Sequence, residues 1–283
     1  MAKNVKQDQF MVQKIMWDDF APADFNNIDS DKTIAILPLA ATEQHGPHLP
    51  ITTDADIMDG MLNLLFQKIS KFDVRIFPAL RIGASDEHIR FASTRSISSQ
   101  EMVEAIITRG IDANNHGIKK LILVNSHGGN EPAMAIAALE LRKRFDMMVV
   151  KTSWGRFGVP DGLYADDELK IGIHGGDYET SLMLHFKPQH VDMTKAQNFK
   201  RATSAALKTF KHLSPQSPHG FGWLAGDLNP HGVVGNAAAA TAQKGALTAA
   251  YQTDGFVELL HDLTRATLIT PFQQDGKIDF PAL

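Results

Sequence analysis

The chain has 283 residues, of which 43% are hydrophobic and 21% charged, a composition typical of soluble globular proteins. Its formal net charge of -4 and its pI near 6.3 give no electrostatic reason to expect nucleic acid or a membrane as a partner. The chain has no cysteine, which excludes disulfides and thiolate metal ligands.

The amino terminus shows no targeting signal. Its first residues lack the apolar core of a signal peptide, and no apolar run in the chain approaches the length of a membrane span. We therefore expect a cytoplasmic protein.

Apolar runs alternate with amphipathic stretches along the chain. Strands are predicted over residues 33–39, 74–80, 120–125 and 148–153, and helices over 55–70, 99–115, 132–145 and about 237–267. This alternation predicts an α/β fold, a three-layer α/β/α sandwich with a mostly parallel central sheet. The chain shows no repeat or linker, so a single domain over residues 1–283 is expected.

The most informative segment follows the first predicted strand and contains Glu43, His45 and Asp54. In extended backbone, residues two apart point to the same side, so Glu43 and His45 can reach one ion together. Asp54 returns after a Gly-Pro turn. An imidazole with carboxylates suits zinc, manganese or iron(II). The alternative is a polar loop with a chance Glu-x-His pair.

Two later segments each contain a His-Gly-Gly turn before a predicted helix. His127 ends the third strand, where open α/β sheets place their active sites. His174 precedes a helix whose start contains Asp177 and Glu179. The alternatives are structural histidines bonded to backbone, and carboxylates that match the helix dipole.

These segments, together with Gly83–His88 and residues 222–245, resemble the creatininase family, the creatinine amidohydrolases and their relatives. The resemblance extends over about residues 10–265 and implies a creatininase-like metal hydrolase domain. It also implies a homo-oligomer, often a hexamer. It implies two divalent ions, His174 as the catalytic histidine, and five metal ligands of which Asp54 bridges the ions: Glu43, His45, Asp54, His127 and Glu179.

Two positions depart from creatininase itself. Creatininase carries a glutamate two residues after the strand-end histidine, where this chain has Gly129, and a tryptophan where this chain has Ile173. The His-Gly-Gly-Asn form looks more like branches that include deformylases of pyrimidine intermediates and maturation peptidases. Creatinine is therefore not the expected substrate.

The proposed ligands favour hydrolysis of a C–N bond in a small cyclic or linear amide by a metal-activated water. His174 would donate the proton that the leaving nitrogen needs. Substrate contacts are predicted at Ser85, His88 and Trp154, with a surface loop or a core aromatic as the alternatives. Other functions left open are a non-catalytic metal-binding or structural relative, a peptidase or deformylase, and a phosphoesterase.

Several further residues have predicted roles outside the ligand set. His48 is interpreted as a structural turn residue, and Asp177 as a partner of the ligands or a match to the helix dipole. Trp223, Asp227 and His231 lie on a loop predicted either to complete the pocket or to contact another subunit.

Overall fold

A parallel four-stranded sheet organises the chain. The computed structural model describes residues 14–26, 28–201, 209–215 and 218–267. The strands follow the spatial order β2-β1-β3-β4, and all neighbours are parallel. Their bounds are β1 (Ile34–Leu39), β2 (Val74–Ile76), β3 (Lys120–Asn125) and β4 (Met148–Ser153).

Helices connect and cover these strands, and a short antiparallel pair lies outside the main sheet. The helices are α1 (Thr53–Phe66), α2 (Ser99–Asn115), α3 (Glu131–Phe145), α4 (Asp166–Ile171), α5 (Asp177–Phe186), α6 (Ala225–Leu228) and α7 (Ala242–Arg265). The outer pair consists of β5 (Asn198–Phe199) and β6 (Gly235–Asn236).

Both faces of the sheet are buried because side chains alternate along each central strand. In β1, Ile34 and Ile36 pack with α1, α5 and α7 on one face. Ala35 and Leu37 pack with α2 and α3 on the other. The result is the predicted α/β/α sandwich with a parallel sheet, in one domain.

The strand order reverses direction at β1. Helix α1 connects β1 to β2 on one side of it, and α2 then crosses back so that β3 pairs on the other side. The carboxyl ends of β1 and β3 are therefore neighbours, with Leu39 beside Asn125. In open α/β sheets this arrangement opens a crevice in which ligands bind.

The observed element bounds differ from the predicted ones at two places with clear causes. Strand β2 ends at Ile76 because Pro78 lacks the N–H that the ladder requires, and pairing resumes only at Leu80. Helix α1 begins at Thr53, earlier than predicted, so Asp54 lies in its first turn.

Helix α7 runs without a break through Gly245 and Gly255, although glycine is unfavourable inside a helix. These glycines instead allow close packing, since a Cβ on Gly245 would lie 2.0 Å from the backbone oxygen of Ser181 in α5. Within the described ranges, no helix combines the length and apolarity needed to cross a membrane.

Replacement of Gly245 by alanine tests this helix contact. The added methyl group would force α5 and α7 apart, so we expect the free energy of unfolding to fall by about 1–3 kcal/mol. Urea denaturation of the ion-free protein measures the change. Gly226→Ala is the control because nothing lies within 4 Å of its added Cβ. Equal stability of the two variants would contradict the packing argument.

Candidate metal centre

The five predicted ligands converge at the crevice between β1 and β3. Glu43 and His45 lie on the loop after β1, and a hydrogen bond of 2.9 Å from the Glu43 N–H to the Ile51 oxygen folds this loop back toward α1. Asp54 therefore approaches from the first turn of α1. His127 lies two residues after the end of β3, and Glu179 lies in the first turn of α5.

Glu43, Asp54 and His127 form one buried group, here called the first subsite. The Nδ1 atom of His127 lies 3.2 Å from Glu43 Oε1 and 3.5 Å from Asp54 Oδ2. Ligands about 2.1 Å from a tetrahedral ion are about 3.4 Å from each other. The observed separations are therefore those expected of side chains that share one ion.

His45, His174 and Glu179 form an adjoining group whose donor atoms all lie within 4.8 Å of one another. His45 also faces Asp54, and the place between His45, Asp54 and Glu179 is here called the second subsite. The Nε2 atom of His45 lies 3.4 Å from Asp54 Oδ1 and 3.9 Å from Glu179 Oε2. Asp54 thus directs one carboxylate oxygen toward each subsite. This is the geometry that a bridging carboxylate requires.

Backbone carbonyls set the tautomers of the two ligand histidines. His45 Nδ1 donates to the Glu43 oxygen at 3.0 Å, so its Nε2 lone pair faces the second subsite. His127 Nε2 donates to the Ala84 oxygen at 2.9 Å, so its Nδ1 lone pair faces the first. Histidines that bind metals are commonly oriented in this way.

The facing atoms lack other partners. Among the described residues, both oxygens of Glu43, Oδ2 of Asp54 and Nε2 of His45 are buried without a hydrogen bond of good geometry. Buried polar atoms without partners are costly, and carboxylates especially so. Carboxylate oxygens and imidazole nitrogens are the donors that zinc, manganese and iron(II) accept, so the residues fit a pair of divalent ions.

The electrostatics of the cluster attract positive charge. Burial opposes protonation of His45, but Asp54, Glu179 and Glu43 outweigh it and raise the pKa of His45 to about 9. Burial opposes protonation of His127 as well, and Glu43 and Asp54 raise its pKa well above the ordinary value. In the ion-free protein a proton therefore occupies the nitrogen of His45 and of His127 that faces the carboxylates, and a divalent ion would displace this proton to reach the lone pair.

His174 lies beside both subsites and is neutral. Its Nε2 donates to the Gln44 oxygen at 2.7 Å, so its Nδ1 lone pair faces Glu43 Oε1 at 3.6 Å. Burial, reinforced by the nearby His45, lowers the pKa of His174 to about 3. The backbone of His174 is held by Val234, which both donates to it and accepts from it.

A cavity of about 440 Å³ opens beside the cluster. His174 and Glu179 form part of its lining, together with the apolar side chains of Val159, Leu169 and Ile173. This position allows a bound molecule to present a polar bond to the cluster while an apolar group fills the cavity.

Trp154 and Ser85, two of the predicted substrate contacts, are buried and do not line this cavity. Trp154 is a core residue, since its indole N–H points at the Met58 sulfur at 3.4 Å and its ring packs on Phe256. Ser85 lies behind the His127 ring, with Oγ 3.3 Å from Nε2. The position of Trp154 matches the alternative interpretation as a core aromatic.

His88, the third predicted substrate contact, is also buried. Its Nε2 lies 3.4 Å from Glu43 Oε1, and its ring lies against that of His174, tilted by 36°, with 4.2 Å between centroids. Burial and the neighbouring His174 lower the pKa of His88 to about 2. The structure therefore places His88 against a proposed ligand rather than against the cavity.

His48 and Asp177 hold neighbouring segments of the chain together. His48 Nε2 lies 3.0 Å from Thr180 Oγ1 and 3.1 Å from the Gly175 oxygen, which ties the first motif to α5. Asp177 accepts from Ser181 and pairs with Lys244 at 2.5 Å. It therefore fastens α5 to α7 and belongs to neither subsite.

Trp223, Asp227 and His231 do not line the cavity. The Trp223 N–H donates to the Pro215 oxygen at 2.8 Å, and Asp227 accepts from the Leu224 N–H that opens α6. His231 is exposed. The same part of the chain contacts the site at Val233, which lies beside Gly46 and Gly175, and at Val234, which pairs with the backbone of His174.

Gln44 and Glu168 also belong to the surroundings of the site, although neither was predicted from the sequence. Gln44 links the first motif to His88 and to the Gly232 oxygen. Glu168 borders the cavity and accepts from the backbone N–H groups of Asp177 and Asn236, both at 2.7 Å. Gln44 could have been predicted because it lies in sequence between the proposed ligands Glu43 and His45. The sequence around Glu168 contains no motif that would have predicted its position.

Gly129 has no room for a side chain. A Cβ there would lie 2.2 Å from the Ala84 oxygen and 2.5 Å from His127 Nε2, with Glu87 Oε1 at 2.7 Å. The glutamate expected at this position in creatininase could enter only if the residues around His127 moved.

Comparison with known proteins identifies the class to which this fold and site belong. The model of the creatininase family, described as creatinine amidohydrolase, matches residues 18–260. The chain therefore belongs to the creatininase family of hydrolases, which confirms the resemblance seen in its motifs.

Individual relatives differ in what they act on. The chain is 30% identical to a mycofactocin precursor peptide peptidase of Mycobacterium tuberculosis over 80% of this chain and 84% of that protein. It is 32% identical to a ribosylaminopyrimidinone 5'-monophosphate deformylase of Methanothermus fervidus, and the match covers 70% of this chain and 75% of that protein. A solved structure of creatininase with Mn shares the fold, with a TM-score of 0.70 and 22% sequence identity. The match covers 90% of this chain and 100% of the creatininase chain.

Metal binding should compete with protons at this site. His45, with its pKa raised to about 9, carries a proton below that pH in the ion-free protein, and an ion bound to Nε2 must displace it. We expect the apparent affinity for Mn²⁺ to rise about tenfold per pH unit per displaced proton up to about pH 9 and then to level off. Calorimetric titrations with Mn²⁺ at a series of pH values up to and above about pH 9 measure how the affinity changes with pH. The number of protons released on binding is measured in weak buffer. A pH-independent affinity would contradict this expectation.

Proposed function

We propose that this protein is a metal-dependent amidohydrolase that holds two divalent ions, zinc, manganese or iron, with Asp54 between them. The observation that carries this proposal is the convergence of lone pairs on two adjoining subsites, with one Asp54 oxygen directed toward each. The proposed ligands are Glu43, His45, Asp54, His127 and Glu179.

When bound, divalent ions supply Lewis-acid chemistry, in which they activate a water molecule and polarise the scissile carbonyl. The residues supply the proton transfers. His174 is neutral, so its Nδ1 can accept a proton from the attacking water and pass it to the leaving nitrogen. The bond from its Nε2 to the Gln44 oxygen keeps Nδ1 directed at the cluster and stabilises the imidazolium formed in between.

The substrate is proposed to carry a C–N amide bond. A small cyclic or linear non-peptide amide fits the chemistry and the deformylase relative. A peptide is the second candidate, and the cavity favours it, since Val159, Leu169 and Ile173 offer an apolar group a volume of about 440 Å³. The relative that acts on a precursor peptide supports this candidate as well.

A non-catalytic role is less well supported than hydrolysis. A scaffold would need neither the unpartnered lone pairs of both subsites nor a neutral histidine directed at them. Phosphoester cleavage is also disfavoured, because no lysine or arginine is among the described residues that line this cavity.

We also propose that the whole chain, residues 1–283, acts as one hydrolase domain and assembles as a homo-oligomer, with a hexamer as the family-based expectation. Exposed apolar side chains on α3, Ile136 and Leu139, are compatible with a contact between copies.

Substitution of the two histidines separates catalysis from metal binding. We expect about two ions per native chain by elemental analysis, and His174→Ala should keep them while losing about 10²–10⁴ in turnover rate. His127→Ala should lose the ions first, because His127 Nδ1 faces both carboxylates of the first subsite. Metal content and hydrolysis of a panel of amides, formamides and short peptides provide the measurements.

The exposed His261 provides a matched control, and His261→Ala should change neither quantity. If His174→Ala loses its ions while His127→Ala retains them, the roles of the two histidines are reversed. If native protein binds only one ion at saturation, the bridging role of Asp54 is wrong.

Creatinine should be at best a poor substrate. Gly129 supplies no carboxylate and has no room for one, and Ile173 borders the cavity where creatininase has an aromatic ring. We expect kcat/KM for creatinine below about 10⁴ M⁻¹s⁻¹, the lower end of the ordinary enzyme range. A steady-state assay on the metal-loaded protein decides this, and a value at or above that level would overturn the prediction.

A further inference from the structure

Glu43, His88 and His174 form a third group whose donor atoms all lie within 4.8 Å of one another. By distance alone this group resembles a third metal site. Whether His88 can coordinate depends on which of its ring nitrogens carries the proton, because only an unprotonated nitrogen binds a metal.

Gln44 determines the position of that proton. Its side-chain oxygen accepts from the Gly46 N–H at 2.9 Å, and its side-chain nitrogen donates to the Gly232 oxygen at 2.6 Å. If the amide were flipped, its nitrogen would face the Gly46 N–H and its oxygen would face the Gly232 oxygen, and neither pair can form a hydrogen bond. These two backbone contacts therefore fix the orientation of the Gln44 amide.

The same amide nitrogen lies 2.8 Å from His88 Nδ1. Because the amide nitrogen can only donate, Nδ1 must present its lone pair, and the ring proton must lie on Nε2. His88 therefore directs an N–H toward Glu43 Oε1, at 3.4 Å. The lone pairs of His45, His127 and His174 face the cluster instead.

We propose that His88 is a positioning residue that Gln44 locks as an N–H donor to Glu43, and that it is neither a metal ligand nor a substrate contact. At 3.4 Å the contact is longer than a well-formed hydrogen bond, so the donor is poised beside the carboxylate. It favours the Glu43 orientation that faces His127 and thereby raises the affinity of the first subsite. This inference rests on the proposed metal centre.

Nitrogen NMR of the native, ¹⁵N-histidine-labelled protein tests the tautomer without any metal. We expect His88 Nε2 to show the chemical shift of a protonated nitrogen and Nδ1 that of an unprotonated one, with and without Zn²⁺. Comparison with His88→Gln identifies the signals, since one histidine is then missing. A protonated Nδ1 in the ion-free protein, or a zinc-induced loss of the Nε2 proton, would overturn the proposal.

Two substitutions of His88 test its effect on the subsite. Glutamine can place an N–H near the position of Nε2, whereas leucine cannot donate. We expect His88→Leu to bind Mn²⁺ about 10- to 100-fold more weakly than native protein, and His88→Gln to retain most of the affinity. Unchanged affinity in His88→Leu would show that His88 does not position Glu43.

Cobalt(II) absorption separates a positioning role from coordination. His88→Gln should leave the visible spectrum of the Co²⁺-loaded protein unchanged, because no ligand is lost. A spectrum that indicates a lost nitrogen ligand would assign His88 to the coordination sphere and overturn the proposal. If the native protein binds no ion at all, the proposed function itself fails, while the NMR measurement still decides the tautomer.

Discussion

The buried carboxylate of Asp54 is the group on which the arrangement of this site depends. Its two oxygens face two histidines that come from different strand ends, so the two subsites have this carboxylate in common. The first turn of α1 holds this carboxylate in place. Burial without ions would be unfavourable, since it raises the pKa of Asp54 to about 6 even with His45 close by.

The loop after β1 contributes its backbone as well as its side chains. The carbonyl of Glu43 orients His45, and the carbonyl of Gln44 orients His174. The Gln44 side chain links the same loop to His88 and to Gly232. One short segment thus positions proposed ligands, the proposed catalytic histidine and their neighbours.

The segment around Val233 joins the remaining parts of the site. Gly46 and Gly175 both have positive φ, and a Cβ on either would lie within 3.0 Å of Val233 side-chain atoms. Val234 pairs with His174 through two backbone hydrogen bonds. The turns that carry His45 and His174 therefore pack on one side chain, and the late part of the chain supports a site built mainly by the earlier parts.

The sequence by itself determined the alternation of strands and helices, the parallel sheet and the residue types that meet at the strand ends, because periodicity and strand-end chemistry are local properties. The tertiary structure decided which ring nitrogen His88, His127 and His174 present, since their partners are distant in sequence, as Ala84 is from His127. It also decided that Trp154 lies in the core and that Gly129 has no free space, because burial depends on neighbours from other elements. Local sequence patterns therefore predicted which residue types meet at the site, whereas contacts between distant parts of the chain determined how each side chain is oriented and buried.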